Sequence, residues 1–193
     1  MRRIPLALAG LACAAAAFSA PAAAYEIDPM TREPINSFFE NVFRPQGSSS
    51  FRQVVSFPGG HAPGTVVIST AQRRLYYVLG NGQAISYGIG VGRPGFQWAD
   101  NKTITMKREW PDWRPPAQML RRRPDLPRYM AGGIDNPLGA RAMYLGGSPY
   151  RIHGSNEPET IGEAVSSGCI RMTNADVTDL YSRIRVGTRV VVR

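Results

Sequence analysis

The chain has 193 residues, a length that suits one globular domain and excludes a large multidomain assembly. Its 23 Lys and Arg residues against 14 Asp and Glu residues give a net charge of +9, which predicts attraction to polyanions. Anionic lipid headgroups and cell-wall carboxylates also attract a basic protein, so the composition does not require nucleic acid, and we expect no nucleic-acid partner.

The first residues have the pattern of a secretory signal. Basic Met1-Arg2-Arg3 precedes an apolar run from Ile4 to Phe18, and Ala22-Ala23-Ala24 forms a small-residue cleavage pattern before Tyr25. We therefore predict a signal peptide at 1–24 and a periplasmic location. A membrane anchor is the alternative, but the apolar run is shorter than the roughly 20 residues that a bilayer requires.

Cysteine usage depends on this cleavage. Cys13 leaves with the signal peptide, although lipidation at Cys13 is an alternative that Gly10 disfavours, because such sites usually carry Leu there. The mature chain then keeps only Cys169 and cannot form an intramolecular disulfide. An unpaired cysteine in an exported protein indicates an intermolecular bridge or a reactive thiol, and a buried inert thiol is the third interpretation.

Two regions follow the signal. Residues 25–60 are rich in Pro, Ser, Asn and Arg without sustained periodicity, which predicts an extended arm with room for one helical turn. Residues 61–193 form the predicted catalytic domain, which begins with short β-rich runs at 65–69, 74–79 and 84–89. Asn81-Gly82 lies between the second and third runs and predicts a type I′ hairpin turn.

The segment from Gly92 to Gly147 has seven prolines and three tryptophans, Trp98, Trp110 and Trp113. Proline at this density argues against long helices and central strands, so we predict a long, stiff loop that acts as a lid or binding loop, with a decorative insertion as the alternative. Within it, the run Arg121-Arg122-Arg123 could engage wall carboxylates, although charge runs are more often solvated faces.

Regular structure returns after this loop. Strands are predicted at 141–145 and 150–153, and a closing strand at 188–192. Thr173 and Asp176 form a capping box, and the apolar residues after it recur at helical spacing, which predicts a helix from about Asn174 to Ile184.

Cys169 and His153 are the candidates for chemistry. A cysteine nucleophile requires a base within hydrogen-bond reach and cationic neighbours that keep its pKa low. A strand, a loop and a return can close the separation of sixteen positions between them, and Gly168 permits a sharp turn that aims main-chain amides at a developing oxyanion. The alternative is an ordinary buried cysteine and a hydrogen-bonded histidine. Metal is disfavoured, because structural zinc requires four ligands and His61 is distant in sequence.

The sequence resembles a known family at these residues. His153-Gly154-Ser155 and the run from Ser166 to Asp176, with the segments 87–95, 109–113, 136–139 and 141–145, resemble the L,D-transpeptidases, or YkuD domain, over roughly 63–193. The resemblance implies a mainly-β catalytic domain, a β-sandwich with one helix after the nucleophile and a long Pro/Trp-rich lid loop.

The resemblance also implies roles for individual residues. Cys169 matches the nucleophile, and His153 matches the base. The Gly154 carbonyl orients the imidazole, while the main chain of Ser167, Gly168 and Cys169 forms an oxyanion hole. We expect the substrate-binding residues to be Arg171, Ser166, Trp110, Trp113 and Tyr144, with a structural ion pair as the alternative for Arg171. Ser167 departs from many relatives, which carry a second histidine there, and this leaves His153 as the sole base.

The implied reaction is a ping-pong acyl transfer on peptidoglycan tetrapeptide stems. Cys169 attacks the carbonyl of the third stem residue, terminal D-alanine leaves, and an amine acceptor resolves the thioester. The acceptor stays open between another stem, an outer-membrane protein terminus and a free D-amino acid. Hydrolysis of the same bond and a catalytically silent wall-binding module are the alternatives. We expect no cofactor, no metal and a monomer.

Overall fold

The structure is a computed structural model that describes residues 52–193. The predicted signal peptide at 1–24 and most of the predicted arm lie outside the described residues. Among residues 52–193, neither helix has the length and apolar character needed to cross a bilayer.

The described chain is mainly β, as predicted, with short helices between the strands. Its strands are β1 (Gln53–Ser56), β2 (Val66–Ser69), β3 (Arg74–Gly80), β4 (Gln83–Gly88), β5 (Val91–Gly92), β6 (Asp100–Glu109), β7 (Arg141–Leu145), β8 (Arg151–His153), β9 (Ala164–Ser166), β10 (Ile170–Arg171) and β11 (Arg189–Val192). Its α-helices are α1 (Ala117–Arg122) and α2 (Asn174–Arg183), and a 3₁₀ turn spans Pro158–Thr160.

Nine strands form one mixed sheet in the order β1-β4-β3-β2-β11-β6-β7-β8-β10, and β5 pairs with β9 separately. The predicted hairpin is confirmed: Asn81 and Gly82 have φ of 50° and 68°, the positive values that a type I′ turn requires. The closing strand β11 lies between β2 and β6, so the chain end completes the centre of the sheet.

Strand β6 corrects one expectation. The proline-rich segment was predicted to lack central strands, yet Asp100–Glu109 forms a ten-residue strand between β11 and β7. The prolines flank this stretch at Pro94 and Pro111 and leave its backbone donors free. Its side chains are mainly polar, with Ile104 as its buried residue, so the strand has little hydrophobic pattern to reveal it.

Strand β1 is the second addition to the predicted organisation. It lies at the end of the segment interpreted as an arm and pairs antiparallel with β4, with Gln53 opposite Ser86. The sheet therefore begins before residue 61.

The core lies between the sheet and α2. Helix α2 packs against β7 and buries Val177 and Leu180 completely. The predicted cap is present, since Thr173 Oγ1 accepts a hydrogen bond from the Asp176 amide at 3.1 Å, and the helix ends at Arg183. Ile152 of β8 and Ile170 of β10 belong to the same buried core, so the strands next to the candidate site are packed together with this helix.

Candidate active site

Cys169 lies on a tight turn between β9 and β10. Gly168, in this turn, has φ of 108°, a left-handed conformation that favours glycine. Ser166 Oγ donates to the Cys169 carbonyl at 2.7 Å and accepts from the Gly168 amide at 3.1 Å. Both hydrogen bonds of the Ser166 hydroxyl therefore lie within the turn, and they stabilise its conformation.

A pair of stacked aromatic rings contacts the turn at Gly168. Trp98 and Tyr150 stack with centroids 4.7 Å apart and an angle of 10° between the rings. Trp98 Nε1 donates to the Gly168 carbonyl at 2.7 Å, and the Tyr150 ring fills the space that a Cβ at Gly168 would need. The position of the Cys169 main chain is therefore set by residues distant in sequence.

His153 ends β8, and the parallel pairing of β8 with β10 places it opposite Arg171. His153 is 6% exposed, and its Nδ1 lies 2.6 Å from the Gly154 carbonyl oxygen. A carbonyl can only accept, so Nδ1 carries the proton and Nε2 is left as the basic nitrogen. His153 and Cys169 both line one cavity of about 710 Å³.

Burial sets the protonation of both groups. It raises the pKa of the Cys169 thiol, and the charge of Arg151 and a hydrogen bond from the Arg151 main chain oppose this only in part. Burial also lowers the pKa of His153 to about 3; the Gly154 hydrogen bond opposes the shift, and the charges of Arg171 and Arg151 add to it. The resting pair is a neutral thiol and a neutral imidazole, which differs from the low thiol pKa expected from sequence.

The loop that carries Gly154 is anchored by Asn174, the first residue of α2. Asn174 Oδ1 accepts from the Ala140 amide at 2.9 Å and from the Ser155 amide at 3.3 Å. Gly139 and Gly154 pass so close to this oxygen that neither position has room for a Cβ. The carbonyl that orients His153 is thereby tied to the start of the helix.

Comparison with known proteins gives the family. The model of the L,D-transpeptidase catalytic domain, YkuD, matches residues 63–192. The chain belongs to the L,D-transpeptidase family.

Individual relatives agree with this assignment. "Probable L,D-transpeptidase ErfK/SrfK" of Escherichia coli K12 is 37% identical over 134 residues, which cover 66% of this chain and 43% of that protein. A protein of Fuscovulum blasticum from an ATP synthase subunits region, named for the same activity, is 30% identical over 199 residues and is covered to 96%. The chain spans about half the length of the E. coli relatives it matches, 43% and 51% for two of them.

A solved structure shares the fold. The L,D-transpeptidase from Mycobacterium smegmatis superposes with a TM-score of 0.55 at 16% identity, and the match covers 68% of this chain and 59% of that one. This likeness confirms the mainly-β L,D-transpeptidase fold class predicted from the sequence.

The predicted oxyanion hole is only partly available in this conformation. The Gly168 amide already donates to Ser166 Oγ. The amides of Ser167 and Cys169 donate to no other group in the part of the chain that the structure describes. Of the three amides predicted to form the oxyanion hole, these two are therefore unpaired within residues 52–193.

Arg171 forms the ion pair that was the alternative interpretation of this residue. One guanidinium nitrogen, Nη2, donates to Glu157 Oε2 at 2.7 Å and to Ser155 Oγ at 2.8 Å. Arg171 also lines the cavity, with its charge balanced by Glu157. Its observed contacts hold the 153–157 loop in place.

The three aromatic residues predicted to bind substrate lie in different surroundings. Trp113 is 8% exposed and lines the cavity, and its main chain pairs with Met130 across the lid loop. Trp110 is 46% exposed and does not line this cavity, and neither does Tyr144, whose ring faces the Arg151 guanidinium at 5.2 Å.

Several residues that shape the site had no role assigned from sequence. Asn174 stands inside the quoted motif, and that position was its one available signal. Arg93 likewise lies inside the segment 87–95 that resembles the family, although its contact with Ser167 joins two distant segments. Trp98, Tyr150 and Arg151 gave no such signal, because each reaches the site through a contact that the sequence does not encode locally.

Proposed function

We propose that this protein is an L,D-transpeptidase whose Cys169 forms a thioester with the third residue of a peptidoglycan tetrapeptide stem and passes that acyl group to an amine. The observation that carries the proposal is the shared cavity: Cys169 and a neutral His153 both line it, and the His153 Nδ1 hydrogen bond leaves Nε2 as the base. The excess of basic over acidic residues suits a polymer rich in carboxylates, and the N-terminal pattern supports a periplasmic location.

The neutral resting pair fits general-base catalysis. As Cys169 Sγ attacks the carbonyl carbon, Nε2 of His153 takes the thiol proton, and the charge that develops on the carbonyl oxygen is accepted by the amides of Ser167 and Cys169. Collapse of this intermediate breaks the peptide bond, and His153 returns the proton to the departing amine of D-alanine. A thioester on Cys169 remains.

The second half reaction reverses these roles. An acceptor amine attacks the thioester carbonyl, His153 takes a proton from the amine, and the thiolate leaves and is protonated again. The acceptor can be another stem, an outer-membrane protein terminus or a free D-amino acid. Trp113 is buried and lines the cavity, which supports a role in limiting the access of water to the thioester.

The direct test is mass spectrometry of the full chain incubated with a tetrapeptide stem. We expect an added mass equal to the tripeptide acyl group, release of D-alanine, and complete loss of the adduct in Cys169→Ala. His153→Gln should slow acylation by about 10²–10⁴-fold, the usual contribution of a general base. His61→Gln is the matched control, because His61 lies outside the cavity lining.

The outcomes separate the candidate activities. Cross-linked dimers or amine adducts indicate transpeptidation, and free tripeptide indicates hydrolysis. An adduct that persists in Cys169→Ala, or a failure of any stem to acylate the wild type, would refute the proposal and favour a binding module.

A further inference from the structure

The side chains that line the cavity carry mostly positive charge. Its lining includes one carboxylate, Glu157, and five guanidinium groups: Arg93, Arg122, Arg123, Arg151 and Arg171. Two of these cations are already balanced, since Arg171 pairs with Glu157 at 2.7 Å and Arg123 pairs with Asp125 at 2.6 Å. The other three have no carboxylate within ion-pair distance among residues 52–193.

Two of these three cations are held by one aromatic ring. The guanidinium carbons of Arg93 and Arg122 lie 4.2 Å and 5.6 Å from the centroid of Phe96, which also lines the cavity. Cation–π contact orients a guanidinium without neutralising it. Arg93 also donates to Ser167 Oγ at 3.2 Å, so this charge lies beside the nucleophile turn.

The third cation, Arg151, has an unused donor. Its Nε is buried and has no hydrogen-bond partner in the described part of the chain. Its guanidinium carbon lies 5.2 Å from the Tyr144 ring centroid. Arg151 also lines the cavity, where a ligand carboxylate can form charge-assisted hydrogen bonds with a guanidinium.

We propose that Arg93, Arg122 and Arg151 form a carboxylate-recognition surface, and that the preferred acyl donor is a stem peptide with free carboxylates beside the scissile bond. A guanidinium presents parallel donors that match a carboxylate, whereas a carboxamide is neutral and turns donors of its own toward them. The surface therefore selects against stems amidated on their second and third residues. This inference rests on the function proposed above.

The position of Arg122 offers a clean test. Arg122 is exposed on α1 and lines the cavity, while its neighbour Arg121 is also exposed on the same helix and does not line it. Arg122→Gln and Arg121→Gln remove the same charge from adjacent positions. Only the first should change recognition.

The experiment measures binding to the full chain carrying Cys169→Ala, so that no chemistry is involved. The ligands are two tetrapeptides with a free terminal carboxylate, one with free carboxylates and one with carboxamides on the second and third residues. Titration calorimetry should show the free peptide binding about tenfold tighter or more, the expected effect of a lost charge-assisted hydrogen bond. The preference should shrink as salt is raised.

In the same background, Arg122→Gln and Arg93→Gln should each reduce the preference severalfold, and Arg121→Gln should leave it unchanged. Equal affinity for the two peptides overturns the inference, as does a full preference retained in both cavity variants. Thermal unfolding verifies that each variant is folded, and exposed Arg122 provides a readout if Arg93→Gln is unstable.

Failure of this inference is distinguishable from failure of the proposed function. If wild-type Cys169 is acylated equally by both peptides, the function stands and the carboxylate-recognition surface is refuted. If neither peptide acylates Cys169, the function itself fails, whatever the binding preference.

Discussion

Asn174 provides the most direct test of how this structure positions its base. Its Oδ1 accepts hydrogen bonds from the Ala140 amide at 2.9 Å and the Ser155 amide at 3.3 Å, on either side of the close approach between Gly139 and Gly154. Asn174→Ala removes the shared acceptor and leaves both amides without one. The Gly154 carbonyl, which orients His153, then loses its anchor to α2.

The expected loss in the free energy of unfolding follows from the burial of the two amide donors. Ala140 and Ser155 are 6% and 1% exposed, so water reaches them poorly. An unsatisfied buried donor costs about 1–3 kcal/mol, and the longer of the two bonds contributes at the lower end. We expect Asn174→Ala to lower the free energy of unfolding by about 2–4 kcal/mol, with some relief if a water molecule enters the vacated space.

Asn174→Asp is the matched control, because it keeps an acceptor oxygen at the same place. A negative charge in the first turn of α2 is favoured by the helix dipole, so this variant should remain within about 1 kcal/mol of the wild type. Urea unfolding measures the stability, and mass spectrometry of Cys169 acylation measures the function. We expect Asn174→Ala to be slow in acylation as well as unstable.

Two results would refute this reasoning. If Asn174→Ala unfolds within about 0.5 kcal/mol of the wild type, the two amides do not depend on this oxygen. If Asn174→Asp is as unstable as Asn174→Ala, the shared acceptor is not the source of the stability.

Three further predictions concern the same site. Gly168→Ala should lower the free energy of unfolding by about 2–4 kcal/mol and abolish acylation, because φ at Gly168 is 108° and the Tyr150 ring fills the space that a Cβ would need. Gly147 has a positive φ but open surroundings, so Gly147→Ala should lower the free energy of unfolding by only about 1 kcal/mol in the same urea titration. Trp98→Phe keeps the stack but loses the 2.7 Å bond to the Gly168 carbonyl, so we expect a loss of about 1 kcal/mol and slower acylation, and an unchanged acylation rate would contradict that role. The pKa of His153 in the folded protein, about 3, lies below its ordinary value of 6.5, so the folded state favours the neutral ring. The free energy of unfolding is therefore unaffected by the titration of His153 above pH 6.5 and falls between pH 6.5 and pH 3, by up to about 1.4 kcal/mol per pH unit, because the unfolded chain binds the proton more readily. Unfolding titrations at pH 7 and pH 4 should show a smaller drop for His153→Asn than for the wild type, and equal drops would show that His153 is not the titrating group.

Features with a local cause could be predicted from the sequence. The Asn81-Gly82 turn depends on the φ preferences of two adjacent residues, and the Thr173 cap depends on a side chain that reaches an amide three residues away. Alternating or continuous apolar runs predicted β2, β3, β4, β7 and β11. Cys169 and His153 could be proposed as site residues because each lies in a short run, 166–176 and 153–155, that resembles the L,D-transpeptidases.

Features that depend on residues distant in sequence could not be predicted in this way. Strand β6 is mainly polar, and only its neighbours β11 and β7 stabilise it as a strand. Trp98 and Asn174 act through hydrogen bonds to residues 70 and 34 positions away, which no local pattern encodes.

The sequence by itself supplied the candidate reacting groups: one thiol in the predicted mature chain, one imidazole that a glycine follows, and a turn that glycine makes possible. Tertiary structure alone decided their protonation and surroundings, because a pKa depends on burial and a cavity depends on what the chain brings together. Burial makes both Cys169 and His153 neutral at rest, and folding gathers Arg93, Arg122 and Arg151 from three separate segments around them.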